Sequence, residues 1–152
     1  LKPVKPHRDT WASNFQHQIN WWIPLHDLSK KNSIFFIPKY FSKKVKNNSK
    51  EWSFELYKKG DIISSTPVSL QNFNIVDYKT KKINFGNAFC FSGNQIHGSN
   101  LGSFRRLNIE TRTICKKDVI KFNLPKNVDN NNLAKQGKWF KSLVDLKFYM
   151  ND

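Results

Sequence analysis

The sequence predicts a mainly β chain, an antiparallel sandwich or barrel with one helix near the C-terminus, on three observations. Short runs rich in aromatic and β-branched residues recur between residues 17 and 113. Gly, Asn and Ser bound nearly every run, which is turn chemistry rather than helix capping over long segments. No helical spacing of apolar residues appears before about residue 133. With 152 residues the chain suits one hydrophobic core, not two. Residues 1–115 are therefore expected to form the β core and residues 116–152 an extension carrying an amphipathic helix.

HQINWWIPL (17–25) and SIFFI (33–37) read as neighbouring strands across the polar turn DLSKKN. FSKKVKNNSK (41–50) has no periodicity and is expected as a solvated loop. EWSFELY and GDIISS read as short strands separated by a turn at Gly60-Asp61. From residue 83, INFGNAFCFSG, NQIHGSN and FRRLNIETRTI supply three more short strands. At the end, LAKQGKWFKSLVDLKFYM places Trp139, Leu143, Leu146 and Met150 at helical intervals and predicts the amphipathic helix.

Composition narrows the function classes. Lys and Arg number 26 against 11 acids, a net charge of +15, which would favour nucleic acid, an anionic surface or an anionic substrate. The excess is mostly Lys, scattered among Asn, Ile and Phe with no dense basic block interleaved with aromatics, so a compositional bias accounts for it equally directly. No apolar run reaches the length of a membrane span, and LKPVKPHRD lacks the apolar stretch of a secretory signal. A soluble, cytoplasmic protein without membrane partners is expected. Cys90 and Cys115 have no paired spacing and are expected to be reduced and buried. No G-x-S-x-G elbow is present, which leaves hydrolase chemistry unsupported.

Chemistry concentrates in PHRDTW, at the N-terminal end. In extended chain His7 and Asp9 point to one face and can reach one point. A later histidine, His97 in FSGNQIHGSN, sits in a strand-like run flanked by small residues. Two histidines and one carboxylate in a facial arrangement leave three positions of an octahedral iron open, as an oxygen-activating non-haem Fe(II) site requires. Nine residues on, Arg106 opens the run RLNIETR, where a guanidinium can pair bidentately with the far carboxylate of a dicarboxylic co-substrate. Each signal alone is weak, since a His-x-Asp pair on a surface strand and an exposed Arg on a basic chain are both common. His17 and His26 lack a carboxylate on the same face and read as surface or packing residues.

Taken in order, HRD at 7–9, QINWWIPLHDLSKKNSIFFIPKYF at 18–41, FSGNQIHGSN at 91–100 and RLNIETRT at 106–113 resemble the Fe(II)/2-oxoglutarate-dependent oxygenases, in particular the phytanoyl-CoA dioxygenase-like group. The resemblance covers roughly residues 4–115. It implies a cupin-like double-stranded β-helix, or jelly roll, with iron held by His7, Asp9 and His97 and with 2-oxoglutarate chelating the metal. It also implies that Arg106 binds the far carboxylate of 2-oxoglutarate, with Arg112 the second candidate for that role and Arg105 the least suited, being off their shared face. Ser99, on the face of His97, is a candidate hydroxyl donor to the same carboxylate, and Asn20, beside Trp22 on the cavity wall, a further candidate for binding the co-substrate. Trp11, Trp21 and Trp22 are candidate cavity-lining aromatics. The expected reaction is hydroxylation of a small-molecule substrate with consumption of dioxygen. Only six residues precede His7, where such proteins have a substantial segment, so the expectation is either the catalytic half of a longer protein or an incomplete barrel.

Two alternatives stand beside this reading. RLNIETR, with Asn108 at its third position, is also similar to the corresponding stretch of the nucleic-acid-demethylating oxygenases of the alkylation-repair family, and the net charge suits that substrate. The other alternative is a jelly-roll binding module without turnover.

Overall fold

In the computed structural model, the residues described are 3–100, 106–121, 123–132 and 139–149. Among them, six strands form two three-stranded antiparallel sheets. They are β1 (Ile19–Pro24), β2 (Ile34–Phe36), β3 (Lys79–Thr80), β4 (Phe89–Ser92), β5 (His97–Ser99) and β6 (Asn108–Thr113). The first sheet runs β4-β1-β6 and the second β3-β2-β5. Three short helices, α1 (Thr10–Ser13), α2 (Phe54–Lys59) and α3 (Lys116–Lys121), complete the main elements. The chain is thus mainly β, as expected, and among the described residues no helix is long and apolar enough to cross a membrane.

β1 alternates in burial: Asn20, Trp22 and Pro24 face inward while Trp21 and Ile23 are less buried. Its pairing with β6 sets Asn20 opposite Arg112 and Trp22 opposite Glu110. On its other edge Asn20 meets Phe91 and Trp22 meets Phe89 of β4. β2 is buried on both faces, which its unbroken apolar run reflects. Ile34 and Phe36 join Trp22, Leu28 and Ile83 in a cluster completed by Phe89 and Phe91 between the two sheets. Phe35 turns the other way, into a second cluster with Trp11, Ile37, Val45 and Ile96.

Several expectations need correction. EWSFELY is not a strand: residues 54–59 are helix α2, because the Ser53 hydroxyl accepts the Leu56 amide and Gly60 closes the C-terminus at φ 84°. GDIISS forms no strand. Segment 41–50 is irregular but not merely solvated, since Val45 and Ser49 are buried and the Val45 amide donates to Asp129. Both cysteines are free but exposed. Cys90 pairs in register with Trp21 on the outer face of the sheet, which leaves its neighbours Phe89 and Phe91 to point inward.

The C-terminal amphipathic helix is absent from residues 139–149, which fold back in a tight turn closed by a bridge between Lys141 and Phe148. The Ser142 hydroxyl accepts the Val144 and Asp145 amides, and Leu146 adopts φ 58°, both incompatible with a continuing helix. Trp139 packs against Phe54, but Leu143 is almost fully exposed and Leu146 largely so, and the face that the spacing outlines is left in solvent beyond Trp139. Without that packing a helix this short is not stable. Met150 and the start of the expected helix lie outside the described residues, as does Arg105.

Candidate metal centre

His7 and His97 meet as an antiparallel pair, each amide donating to the other's carbonyl at 2.9 and 3.0 Å. The N-terminal segment therefore extends the second sheet beyond β5. Asp9 reaches the same point by a different route from the one expected. It is not in a strand but in the right-handed helical region, φ −67° and ψ −28°, as the residue that opens α1. The backbone turns between His7 and Asp9, and the turn brings the carboxylate back toward the imidazoles.

Between them sits Arg8, whose side chain runs the opposite way and is wholly buried. Its guanidinium donates to the carbonyls of Phe41, Asn94, Tyr40 and Lys43 and to the Asp129 carboxylate. Asp129 also accepts the Trp11 indole N–H at 2.7 Å and the Val45 amide at 3.0 Å. This network anchors the HRD turn from behind. Trp11 is consequently core and does not line the cavity.

The three buried groups His7, Asp9 and His97 each offer an atom within 4.8 Å of the others. His7 Nε2 lies 3.3 Å and His97 Nε2 3.9 Å from Asp9 Oδ1. Each ring's Nδ1 meets a backbone carbonyl, His7 that of Lys5 at 2.8 Å and His97 that of Gln95 at 3.0 Å. A carbonyl only accepts, so both Nδ1 atoms carry a proton, and in each ring Nε2 is the atom directed at Asp9. Burial pushes the His97 imidazole down to about 4, reinforced by the neighbouring His7 and opposed by Asp9. His97 is thus neutral near pH 7, the state in which imidazole ligates a metal. Burial works against the charge of Asp9, but the contacts with His7, His97 and Arg112 outweigh it and hold the carboxyl well below the ordinary range. Two imidazole Nε2 atoms and a carboxylate oxygen thus converge on one buried point. A donor set of two imidazoles and one carboxylate fits a divalent transition metal such as Fe(II).

These residues form the floor of a cavity of about 430 Å³ that opens between the sheets. Asn20, Trp22, Arg106 and Arg112 contribute its walls, with Phe54 and Tyr57 of α2 also lining it. Arg106 donates from Nε to Asn108 Oδ1 at 3.1 Å and lies over the Trp22 ring at 5.2 Å. Arg112 donates from Nε to Asp9 Oδ2 at 3.0 Å. The Ser99 hydroxyl lines the cavity and accepts the Val4 amide at 3.3 Å. Asn20 accepts from Gln18 through Oδ1, while its buried Nδ2 has no partner among the described residues. Of the tryptophans expected at the cavity, Trp21 and Trp22 line it. His17 is buried against Phe15 and Tyr149, a packing residue, and His26 accepts the Leu107 amide.

Sequence reasoning missed Glu110, which lines the cavity and accepts from Trp22 Nε1 at 2.8 Å and Asn108 Nδ2 at 2.9 Å. The only signal for it is the β1–β6 register, which no single segment reveals. Asp129 was missed for the same reason, standing 121 residues from Arg8 along the chain.

No protein-family model and no curated protein matches the sequence. Among solved structures the chain is similar to EvdO2 from Micromonospora carbonacea var. aurantiaca, both complexed with 2-oxoglutarate and without it. The TM-score is 0.53 at 11% identity, covering 76% of this chain and 48% of that one. SnoN, a non-heme alpha ketoglutarate dependent epimerase from nogalamycin biosynthesis, gives a TM-score of 0.44 at 18% identity over 72% of this chain and 38% of that one. The chain thus spans about half the length of EvdO2, and at 11% identity the likeness is one of fold.

Proposed function

We propose that this chain forms the catalytic core of an Fe(II)- and 2-oxoglutarate-dependent dioxygenase that hydroxylates a small molecule. We further propose that its two sheets are the faces of a jelly-roll barrel like that of the phytanoyl-CoA dioxygenase-like group. The observation that carries this reading is the convergence of His7, Asp9 and His97, buried, with both Nδ1 protons committed to carbonyls and both Nε2 atoms turned inward. The fold shared with EvdO2 supports it.

In this reading His7 Nε2, Asp9 Oδ1 and His97 Nε2 hold the metal. Iron held by these three residues would supply oxidative chemistry, dioxygen and 2-oxoglutarate being consumed to give succinate and carbon dioxide as a substrate C–H bond is hydroxylated. The chain's own groups bind, orient and exclude water. Arg106 has its Nε engaged by Asn108 and its plane against Trp22, which fixes the terminal nitrogens as a fork for the far carboxylate of 2-oxoglutarate. Asn20 Nδ2, buried and unpartnered among the described residues, and Ser99 Oγ are further donors for the same co-substrate. Trp22 and Phe91 shield the site from bulk water.

The test is anaerobic Fe(II) titration followed by measurement of succinate from 2-oxoglutarate in air. Stoichiometric binding that His97→Ala abolishes, with slow uncoupled succinate formation by the wild type, is the expected result. Equal metal binding by wild type and His97→Ala would refute the reading. The nucleic-acid alternative keeps one observation in its favour, the grouping of Lys30, Lys31, Lys79 and Lys81 around a second depression. A steep fall of DNA or RNA affinity with salt would support it.

A further inference from the structure

The two carboxylate oxygens of Asp9 have different neighbours. Oδ1 faces both imidazoles, at 3.3 and 3.9 Å from their Nε2 atoms. Oδ2 faces away from them and receives the Nε–H of Arg112 at 3.0 Å. The contact crosses between the sheets: Asp9 belongs to the turn that follows the second sheet's added strand, and Arg112 stands on β6 of the first, opposite Asn20. The Asp9 side chain is almost wholly buried while that of Arg112 is 39% exposed, so the arginine caps the carboxylate from the cavity side.

We infer that Arg112 is a positioning residue that reserves Oδ2 of Asp9, so that this carboxylate offers a single oxygen to a metal, leaving Arg106 alone to bind the co-substrate's far carboxylate. The inference rests on the metal-site reading above and departs from the sequence expectation that made Arg112 a second candidate for 2-oxoglutarate. A free carboxylate can chelate with both oxygens and so fill two coordination positions. With Oδ2 committed to a charge-assisted hydrogen bond, three protein groups occupy three positions, and three stay available for a bidentate keto acid and dioxygen. Arg106 has no such tie to the ligand set: it engages Asn108 and the Trp22 ring. The two arginines share a strand face but point at different tasks.

The test uses the full chain stripped of metal, with Co(II) as a spectroscopic probe. Co(II) is titrated by calorimetry and visible absorption into the wild type, Arg112→Met, Arg112→Lys and Arg106→Met, each first checked by circular dichroism for native β content. 2-Oxoglutarate is then titrated into the Co(II)-saturated proteins. Arg112→Met is expected to weaken Co(II) binding about 10- to 100-fold, the usual range for removing a group that orients a metal ligand, and to change the Co(II) absorption intensity as coordination changes. Arg112→Lys, which keeps the charge and can still donate to Oδ2, recovers part of the loss. Arg106→Met keeps the Co(II) affinity and spectrum and loses 2-oxoglutarate affinity instead. Wild-type Co(II) affinity and spectrum in Arg112→Met, or a loss of 2-oxoglutarate affinity there equal to that of Arg106→Met, would overturn the assignment. Failure of the wild type itself to take up Co(II) would remove the metal-site reading and this inference with it.

Discussion

Replacing Arg8 by Met tests the claim that the HRD turn is held from behind. The guanidinium is buried and spends its donors on Asp129 at 3.2 Å and on the carbonyls of Phe41, Asn94, Tyr40 and Lys43. Methionine keeps most of the apolar stem and removes every donor. Asp129 retains the Trp11 indole and the Val45 amide, so its charge is weakened in support but not abandoned. The carbonyls of Tyr40, Phe41 and Lys43 belong to partly or fully exposed residues that water can reach, while that of Asn94 is in the interior. Breaking one side of a buried ion pair costs about 3–5 kcal/mol. Partial rehydration places the expectation at about 3–4 kcal/mol, or a fall in Tm of about 10 °C for a chain of this size. Urea unfolding at neutral pH measures it, with Asp129→Ala and the double variant closing a cycle. The double variant is expected to cost less than the sum of the singles, by about 1–3 kcal/mol, because both singles break the same contact. A loss below about 1 kcal/mol in Arg8→Met, or strict additivity in the cycle, would refute the account of the turn.

Other outcomes follow from the same geometry. His97 is held neutral by burial, with a pKa of about 4 against an ordinary 6.5. The unfolded chain therefore binds a proton between those values that the folded chain does not, so stability is fully present above pH 6.5 and falls by about 3 kcal/mol down to pH 4. Urea titrations of the chelator-treated protein at about pH 7 and about pH 4.5 check this, and equal stability at both would contradict it. Gly98→Ala would set a Cβ 2.6 Å from the Phe35 ring and 2.7 Å from the Val4 carbonyl. A cost of about 1–3 kcal/mol in urea unfolding is expected, together with weaker Co(II) binding, because His97 must move with its neighbour. Ser53→Ala removes the cap of α2 and should cost about 1 kcal/mol, read as faster amide exchange across Phe54–Lys59 with Co(II) binding unchanged.

Much of the β architecture is legible in single segments because the relevant physics is local. The runs around Ile19–Pro24, Ile34–Phe36, His97–Ser99 and Asn108–Thr113 all read as strands, since aromatic and β-branched side chains alternating or clustered between turn residues favour a pleated, half-buried surface. The same local logic misread EWSFELY, where a capping serine and a following glycine outweigh β propensity. It misread residues 139–149 too, where Leu143 and Leu146, at helical spacing from Trp139, stay largely in solvent.

Local sequence established which side chains are available for chemistry: His7, Asp9, His97 and the arginines of RLNIETR stand out as donors in short, turn-bounded runs. How they meet depends on the folded chain. Asp9 joins the histidines through a helical turn rather than an extended strand, Arg8 and Asp129 lock that turn across most of the chain's length, and the β1–β6 register sends Arg112 to Asp9 and leaves Arg106 beside Trp22. The reason is that propensity and periodicity act over a few neighbouring residues, whereas a shared centre depends on strand pairing and buried ion pairs between segments that have no sequence proximity.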